Sequence, residues 1–155
     1  MTRFLFLRRF LLAPLGVVSL VAACPGAVGA AQSAPEASPA MAAAQAFYDG
    51  YMKTLTANGD AQAYVLKSKR VSEAFKRAYQ TFMQDAGSDP ILCAQDYPDA
   101  GFTAFRGQVK GDEATVEMKS RDPQFEHRFN VTLKRSGAGE WLIDGTQDLP
   151  AKPGK

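Results

Sequence analysis

Between Ala44 and Leu55 the apolar side chains recur every three or four positions: Ala44, Phe47, Tyr48, Tyr51 and Leu55. That spacing lines one face of an α-helix. Ser38-Pro39 is its predicted start, a hydroxyl able to accept an orphan amide followed by a proline in the first turn, where no backbone donor is missed. Asn58-Gly59 is its predicted C-terminal cap. Asp60 is placed to cap a short second helix reaching about Lys67, and Val71, Phe75, Ala78, Tyr79, Phe82 and Met83 mark a third that ends at Gly87.

After Gly87 the period changes. Asp89 to Gly101 reads as a loop, with Pro90 and Pro98 inside it. Four runs of strand type follow: Phe102–Lys110, Ala114–Ser120, His127–Arg135 and Trp141–Gln147. Ala114, Val116 and Met118 alternate with polar neighbours, as do His127, Phe129, Val131 and Leu133, so one face is packed and the other wet. Gly111-Asp112, Arg121-Asp122-Pro123 and Ser136-Gly137-Ala138-Gly139 supply the turns between them. Helices first and an antiparallel meander second predict an α+β domain, with the helices on the sheet's apolar face.

The amino terminus obeys neither period. Arg3, Arg8 and Arg9 precede Phe10 to Ala23, which is apolar except for Ser19 and, at 14 residues, shorter than the roughly 18 to 20 a membrane-spanning helix needs. A basic region, a short apolar region and small residues describe a secretory signal, expected over residues 1–30. Two cleavage sites compete. Val21-Ala22-Ala23-Cys24 has the form of a lipobox, whose cysteine would be diacylated; Val28-Gly29-Ala30 offers small residues to an ordinary signal peptidase. Lipidation is the preferred reading, because it explains both the cysteine and the tether that follows. Residues 25–40 are nearly all Ala, Gly, Pro, Ser and Gln, a composition that buries too little apolar surface to offset its ordering entropy. One domain is expected over residues 41–148, with a flexible tail over 149–155. The expected location is the periplasm, with the domain held at the membrane through Cys24; ordinary cleavage would instead leave it soluble in the periplasm or secreted.

Charge is read after this segment is set aside. Removing Arg3, Arg8 and Arg9 takes 18 Lys and Arg down to 15, against 16 Asp and Glu, all of which lie beyond Ala30. No net field argues for nucleic acid. With Cys24 lipidated or removed, Cys93 has no partner for a disulfide, and its Ile91-Leu92-Cys93-Ala94 setting suits a small buried hydrophobe.

The opening helix of the form Phe47-Tyr48-x-x-Tyr51, the loop Asp89-Pro90-Ile91-Leu92-Cys93-Ala94-Gln95-Asp96 and the ending Val131-x-Leu133 … Trp141-x-Ile143 resemble a family of small exported bacterial proteins. That family is known only as domain of unknown function 3828, within the superfamily named for nuclear transport factor 2. The resemblance covers about residues 41 to 147. It implies a curved, cone-like sheet wrapped over the helices around a pocket, and it supplies no activity.

Candidate chemistry is sparse. His127, the one histidine, shares parity with Phe129 and is expected at the end of the packed face, as a general base or as a satisfied strand-end side chain. Asp85, Asp89, Asp96 and Asp99 gather four carboxylates, yet their spacing matches no cation loop and Asp beside Pro is ordinary turn usage, so no metal site is assigned. Tyr48, Tyr51, Tyr64 and Tyr79 either face the sheet as core aromatics or line a pocket. In that case a Tyr with a carboxylic acid could polarise a carbonyl, as in the ketosteroid isomerases that serve as a standard instance of such tuning. No phosphate loop, nucleophile elbow or paired-cysteine metal motif occurs, and no cofactor is implied.

The reading that follows is a non-catalytic envelope domain binding an unknown protein or small ligand; an immunity or inhibitor protein is one concrete form. Asp89, Gln95, Asp96, Tyr97 and His127 are its candidate contact residues. The alternative is a pocket enzyme of isomerase or hydrolase type using His127 with a Tyr or Asp. Cys24→Ala is expected to abolish membrane association, since thioether lipidation needs that sulfur. Labelling cells with a radioactive fatty acid checks this, and an unlabelled wild type whose mature chain begins near Ala31 would overturn it.

Overall fold

The first helix, α1 (Ala37–Thr56), is rich in alanine, and Pro39 falls in its first turn, where the amide has no intrahelical partner to lose. The helix starts ahead of the expected boundary at residue 41 and takes in Ala40, fully buried within the stretch read as tether. A methyl side chain is small enough to let helix and sheet approach there. The C-terminus closes as predicted at Asn58-Gly59, with Asn58 rather than the glycine in the left-handed conformation (φ 52). The Asn58 amide donates to the Leu55 carbonyl (2.9 Å) and the Gly59 amide to that of Thr54 (2.8 Å), the paired bonds of a Schellman cap. Asp60 then accepts from the Ala63 amide (2.8 Å) to start α2 (Ala61–Lys67). Inside α1, Gly50 is required by packing: a methyl group there would collide with the Tyr64 hydroxyl, which donates to the Phe47 carbonyl (3.0 Å).

The third helix, α3 (Glu73–Phe82), is shorter than its apolar periodicity predicts. Ser72 caps it, accepting from the Phe75 amide, and Val71 lies outside it. Instead Val71 forms a parallel bridge to Ile143: the Ser72 amide donates to the Ile143 carbonyl (2.8 Å), and the Ile143 amide to that of Arg70 (2.7 Å). A β-branched side chain two residues before the helix fits that edge as well as it fits a helix, and the sheet takes it.

The sheet is a meander, β1 (Phe102–Lys110), β2 (Glu113–Ser120), β3 (Arg128–Arg135) and β4 (Trp141–Thr146), in spatial order β1-β2-β3-β4 with every pair antiparallel. The fold is therefore α+β, three helices against a four-stranded antiparallel sheet that is curled but not closed. Two irregularities of register assist the curl, one between Ala104 and Arg106 and one between Thr132 and Leu133. Gly111 takes φ 63 in the two-residue turn between Lys110 and Glu113, a backbone that favours glycine. His127 lies one residue before β3 rather than inside it.

The described residues are 37–83 and 87–150, in a computed structural model. The signal segment with Cys24, the tether up to residue 36, Asp85 and residues 151–155 lie outside them. Beyond β4 the chain turns back on itself: the Thr146 amide donates to the Leu149 carbonyl (3.0 Å), Pro150 bridges Gly145, and Leu149 packs against the core. Among the described residues no helix is long and apolar enough to cross a membrane.

The core lies between α1 and the sheet. Phe47, Tyr48 and Tyr51 meet Val116, Met118, Phe129, Val131, Leu133 and Ile143, all buried, and α3 adds Phe75 and Tyr79. The outer edge of β1 is closed in part by α1, because Gln45 acts as a strand mimic: it donates to the Phe102 carbonyl (3.1 Å) and accepts from the Ala104 amide (2.8 Å). Trp141 is 7% exposed, whereas Lys134 is exposed on the opposite face. Trp141→Ala is expected to destabilise the domain by about 3 to 5 kcal/mol, as deletion of a large buried aromatic does. Lys134→Ala should change stability by under about 0.5 kcal/mol. Urea melts check both, and equal midpoints would overturn the assignment of faces.

Candidate functional site

The loop after α3 is built around Asp89. Its amide donates to the Ala94 carbonyl (3.0 Å) and the Ala94 amide returns a bond (3.4 Å), pinching residues 89–94 into a tight turn. Inside the turn the Asp89 Oδ1 accepts from the amides of Ile91 (2.8 Å) and Leu92 (3.2 Å). Such side-chain capture of the following amides is why Asp initiates turns. Pro90, Ile91 and Leu92 are thereby pushed into the end of the core, and all three are buried.

Burial sets a demand: three consecutive carbonyls leave water together, and each needs a donor. The Pro90 carbonyl accepts from Thr146 Oγ1 (2.7 Å), that of Ile91 from the Tyr48 hydroxyl (2.9 Å), and that of Leu92 from His127 Nε2 (2.8 Å). A carbonyl can only accept, so Nε2 carries the imidazole proton. The His127 ring is stacked on Phe129 (centroids 5.4 Å apart) and meets the edges of Phe102 and Phe125. Among the described residues it bonds to no carboxylate. Burial and the nearby Cys93 and Asp89 hold the Tyr48 hydroxyl neutral, far above its ordinary pKa. Cys93 takes φ 52, a left-handed backbone that closes the turn, and burial raises its thiol pKa.

On the helical side of the same turn, the Tyr51 hydroxyl donates to Asp89 Oδ2 (2.7 Å). Burial raises the Asp89 pKa above the usual carboxylate value, although the bonds from Tyr51 and the two amides pull it the other way. Burial and the Asp89 charge together raise that of Tyr51, and Tyr79 is pushed up to about 12. The pair lines an open depression of about 340 Å³ with Leu55, Tyr79, Met83 and Gln95. Of the five sequence candidates, this place brings together Asp89 and Gln95. His127 meets the turn through Leu92 and lines a separate recess under the β2–β3 hairpin. Asp96 and Tyr97 are exposed beyond the turn, where they touch none of these groups in a hydrogen bond. Among the described residues no cluster of three His, Cys, Asp or Glu is arranged to hold a metal.

A second site emerges on the outer face of the sheet. The bulge in β1 leaves Phe105 unpaired, with Ala104 facing Met118 and Arg106 facing Glu117. Alternation therefore slips by one: Phe102 and Gly107 are buried, while Phe105 and Arg106 are both exposed. Three cations surround the Phe105 ring, Arg106 at 4.9 Å, Arg128 at 5.0 Å and Lys119 at 5.5 Å from its centroid. Lys119 and Arg128 stand directly opposite each other across β2 and β3. Like charges in that position destabilise a sheet, and the ring's negative faces offset part of the repulsion. Glu117 bonds Arg128 (3.0 Å), while Arg106 and Lys119 form no ion pair among the described residues. The phase slip at Phe105 was the sequence signal for this site: Phe102 and Ala104 keep one parity, Gly107 and Val109 the other.

A raised carboxylate pKa has a definite sign in stability. The folded chain binds the Asp89 proton more tightly than the unfolded chain, so the contribution is full at low pH and is lost as pH rises from about 4 through the raised value. Asp89→Asn keeps an oxygen for the Ile91 and Leu92 amides and cannot ionise. The variant is expected to lose that downward slope of stability with rising pH. Urea melts of both proteins across the acid range check it, and parallel profiles would show that Asp89 does not titrate in that window.

No family model, no curated protein and no solved structure matches the chain.

Proposed function

We propose that this is an exported, non-catalytic binding domain whose working surface is the outer sheet face centred on Phe105. The observation that carries the reading is the gathering of Arg106, Lys119 and Arg128 around one exposed aromatic ring. Nothing in the packing requires it: the ring is 39% exposed, and the opposed cations weaken the sheet that holds them. Local features that oppose stability without structural return are where function is found. The chemistry selects an anionic partner with an apolar or aromatic group to cover the ring. Lipidation at Cys24, envelope location and kinship with domain of unknown function 3828 belong to the same proposal; an immunity or inhibitor role is one form it can take.

The pocket-enzyme alternative has less support. His127 commits its Nε2 proton to the Leu92 carbonyl, and Asp89 commits its oxygens to two amides and Tyr51, so the groups that reading needs are already bonded. Phe47, Tyr48, Phe102, Met118 and Phe129 fill the space between α1 and the sheet.

Phe105→Ser with Arg106→Ala is expected to leave the melting midpoint within a degree or two, because both side chains are exposed. Capture from an envelope extract is then compared between wild type and variant. A partner held by the wild type at low salt and lost by the variant is the expected outcome. Equal capture by both overturns the assignment of this face, and loss only with Asp96→Ala and Tyr97→Ala moves the site to the loop.

A further inference from the structure

We propose that the partner of the Phe105 face is a second copy of this chain, docking through its Asp96–Asp99 corner. The inference rests on the reading of that face as the working surface and names what it holds. Among the described residues two large hydrophobic side chains are exposed, Tyr97 and Phe105, each at 39%. Their surroundings are opposite in sign. Tyr97 stands beside Asp96 and two residues before Asp99, both exposed; Phe105 stands among Arg106, Lys119 and Arg128. The match extends to the number of free charges. Asp96 and Asp99 form no ion pair among the described residues, and neither do Arg106 and Lys119. Two carboxylates and an aromatic ring on one surface thus meet two cations and an aromatic ring on the other. Glu117 already shows the chemistry within one chain, its carboxylate bonded to Arg128 at 3.0 Å on the same face.

The two surfaces are close along the chain. The loop runs directly into β1, and Phe105 is the fourth residue of that strand, about 10 Å from its start at the usual rise per residue. A two-fold axis beside this corner lets each copy place its Tyr97 on the other's Phe105 at the same time. The contact is then isologous and closes as a dimer, whereas a one-way contact would grow without limit. The surface is small and mostly charged, so association is weak and falls as salt screens the four ion pairs that two contacts provide. Other occupants fit less well. A nucleic acid finds no net positive field on residues 31–155.

The test is sedimentation of the full chain as the cell exports it, in mild detergent, at about 50 mM and 500 mM salt. The wild type is expected to show a monomer–dimer equilibrium whose dissociation constant rises at least about tenfold between the two salts. Arg106→Asp with Lys119→Asp makes face and loop both acidic; Asp96→Lys with Asp99→Lys makes both basic. Each double variant alone is expected to be monomeric, and an equimolar mixture to recover the dimer, because opposite charges then meet in both contacts. Recovery on mixing also excludes misfolding as the cause of the losses. A wild type monomeric at both salts, or a dimer indifferent to the swaps, overturns the proposal. If Phe105-dependent capture of another protein persists in that case, the working face stands and its partner is a different acidic protein. If that capture is absent too, both readings fall.

Discussion

The carbonyls of Pro90, Ile91 and Leu92 enter the core together, and much of the molecule is arranged to meet their demand for donors. Thr146 comes from the end of β4, Tyr48 from the middle of α1 and His127 from the approach to β3. Three elements distant in sequence are tied to one turn. An unpaired buried carbonyl costs on the order of 1 to 3 kcal/mol, comparable with a sizeable part of a small domain's net stability. No buried side-chain polar atom is left without a partner among the described residues.

That constraint reassigns residues whose types suggest chemistry. A lone histidine, a deeply buried tyrosine and an aspartate of raised pKa are the usual parts of an acid–base site. Here each is held by backbone groups of the same turn: His127 orients on Leu92, Tyr48 on Ile91, and Asp89 gathers the amides. Asp89 alone keeps a second face, through Tyr51, toward an open depression. The turn thus functions as a plug at the end of the core, and beyond it Gln95, Asp96, Tyr97 and Asp99 are exposed and free to meet another molecule.

The outer face of the sheet follows the opposite logic. Its cations are not needed by any buried group, and one extra residue in β1 is enough to collect them. The bulge turns Phe105 outward beside Arg106 and places the ring within reach of Lys119 and Arg128. Glu117 neutralises part of the cluster, leaving a mild positive surface on a domain that carries almost no net charge. A surface of that kind discriminates by local complementarity rather than by long-range attraction.

Periodicity along the chain determined the α+β class, the helix caps at Asn58-Gly59 and Asp60, and the meander with its packed and wet faces. These follow from local rules: the 3.6 and 2.0 repeats of side chains, and the capping chemistry of Asn, Gly, Asp and Ser. Val71 shows where local rules stop, since its place in a helical repeat gave way to a bridge with Ile143, a residue 72 positions later. The same holds at the sites. Asp89 as a turn former and Lys119 and Arg128 as wet-face cations were legible from residue type and parity, whereas Arg106 shares the parity of Phe102 and turns outward only through the bulge. That Asp89 meets Tyr51, that His127 serves Leu92 and that three cations share one ring were not legible. Those contacts depend on strand register, on a one-residue bulge and on which donor lies opposite a buried carbonyl, and only the packed tertiary structure decides these.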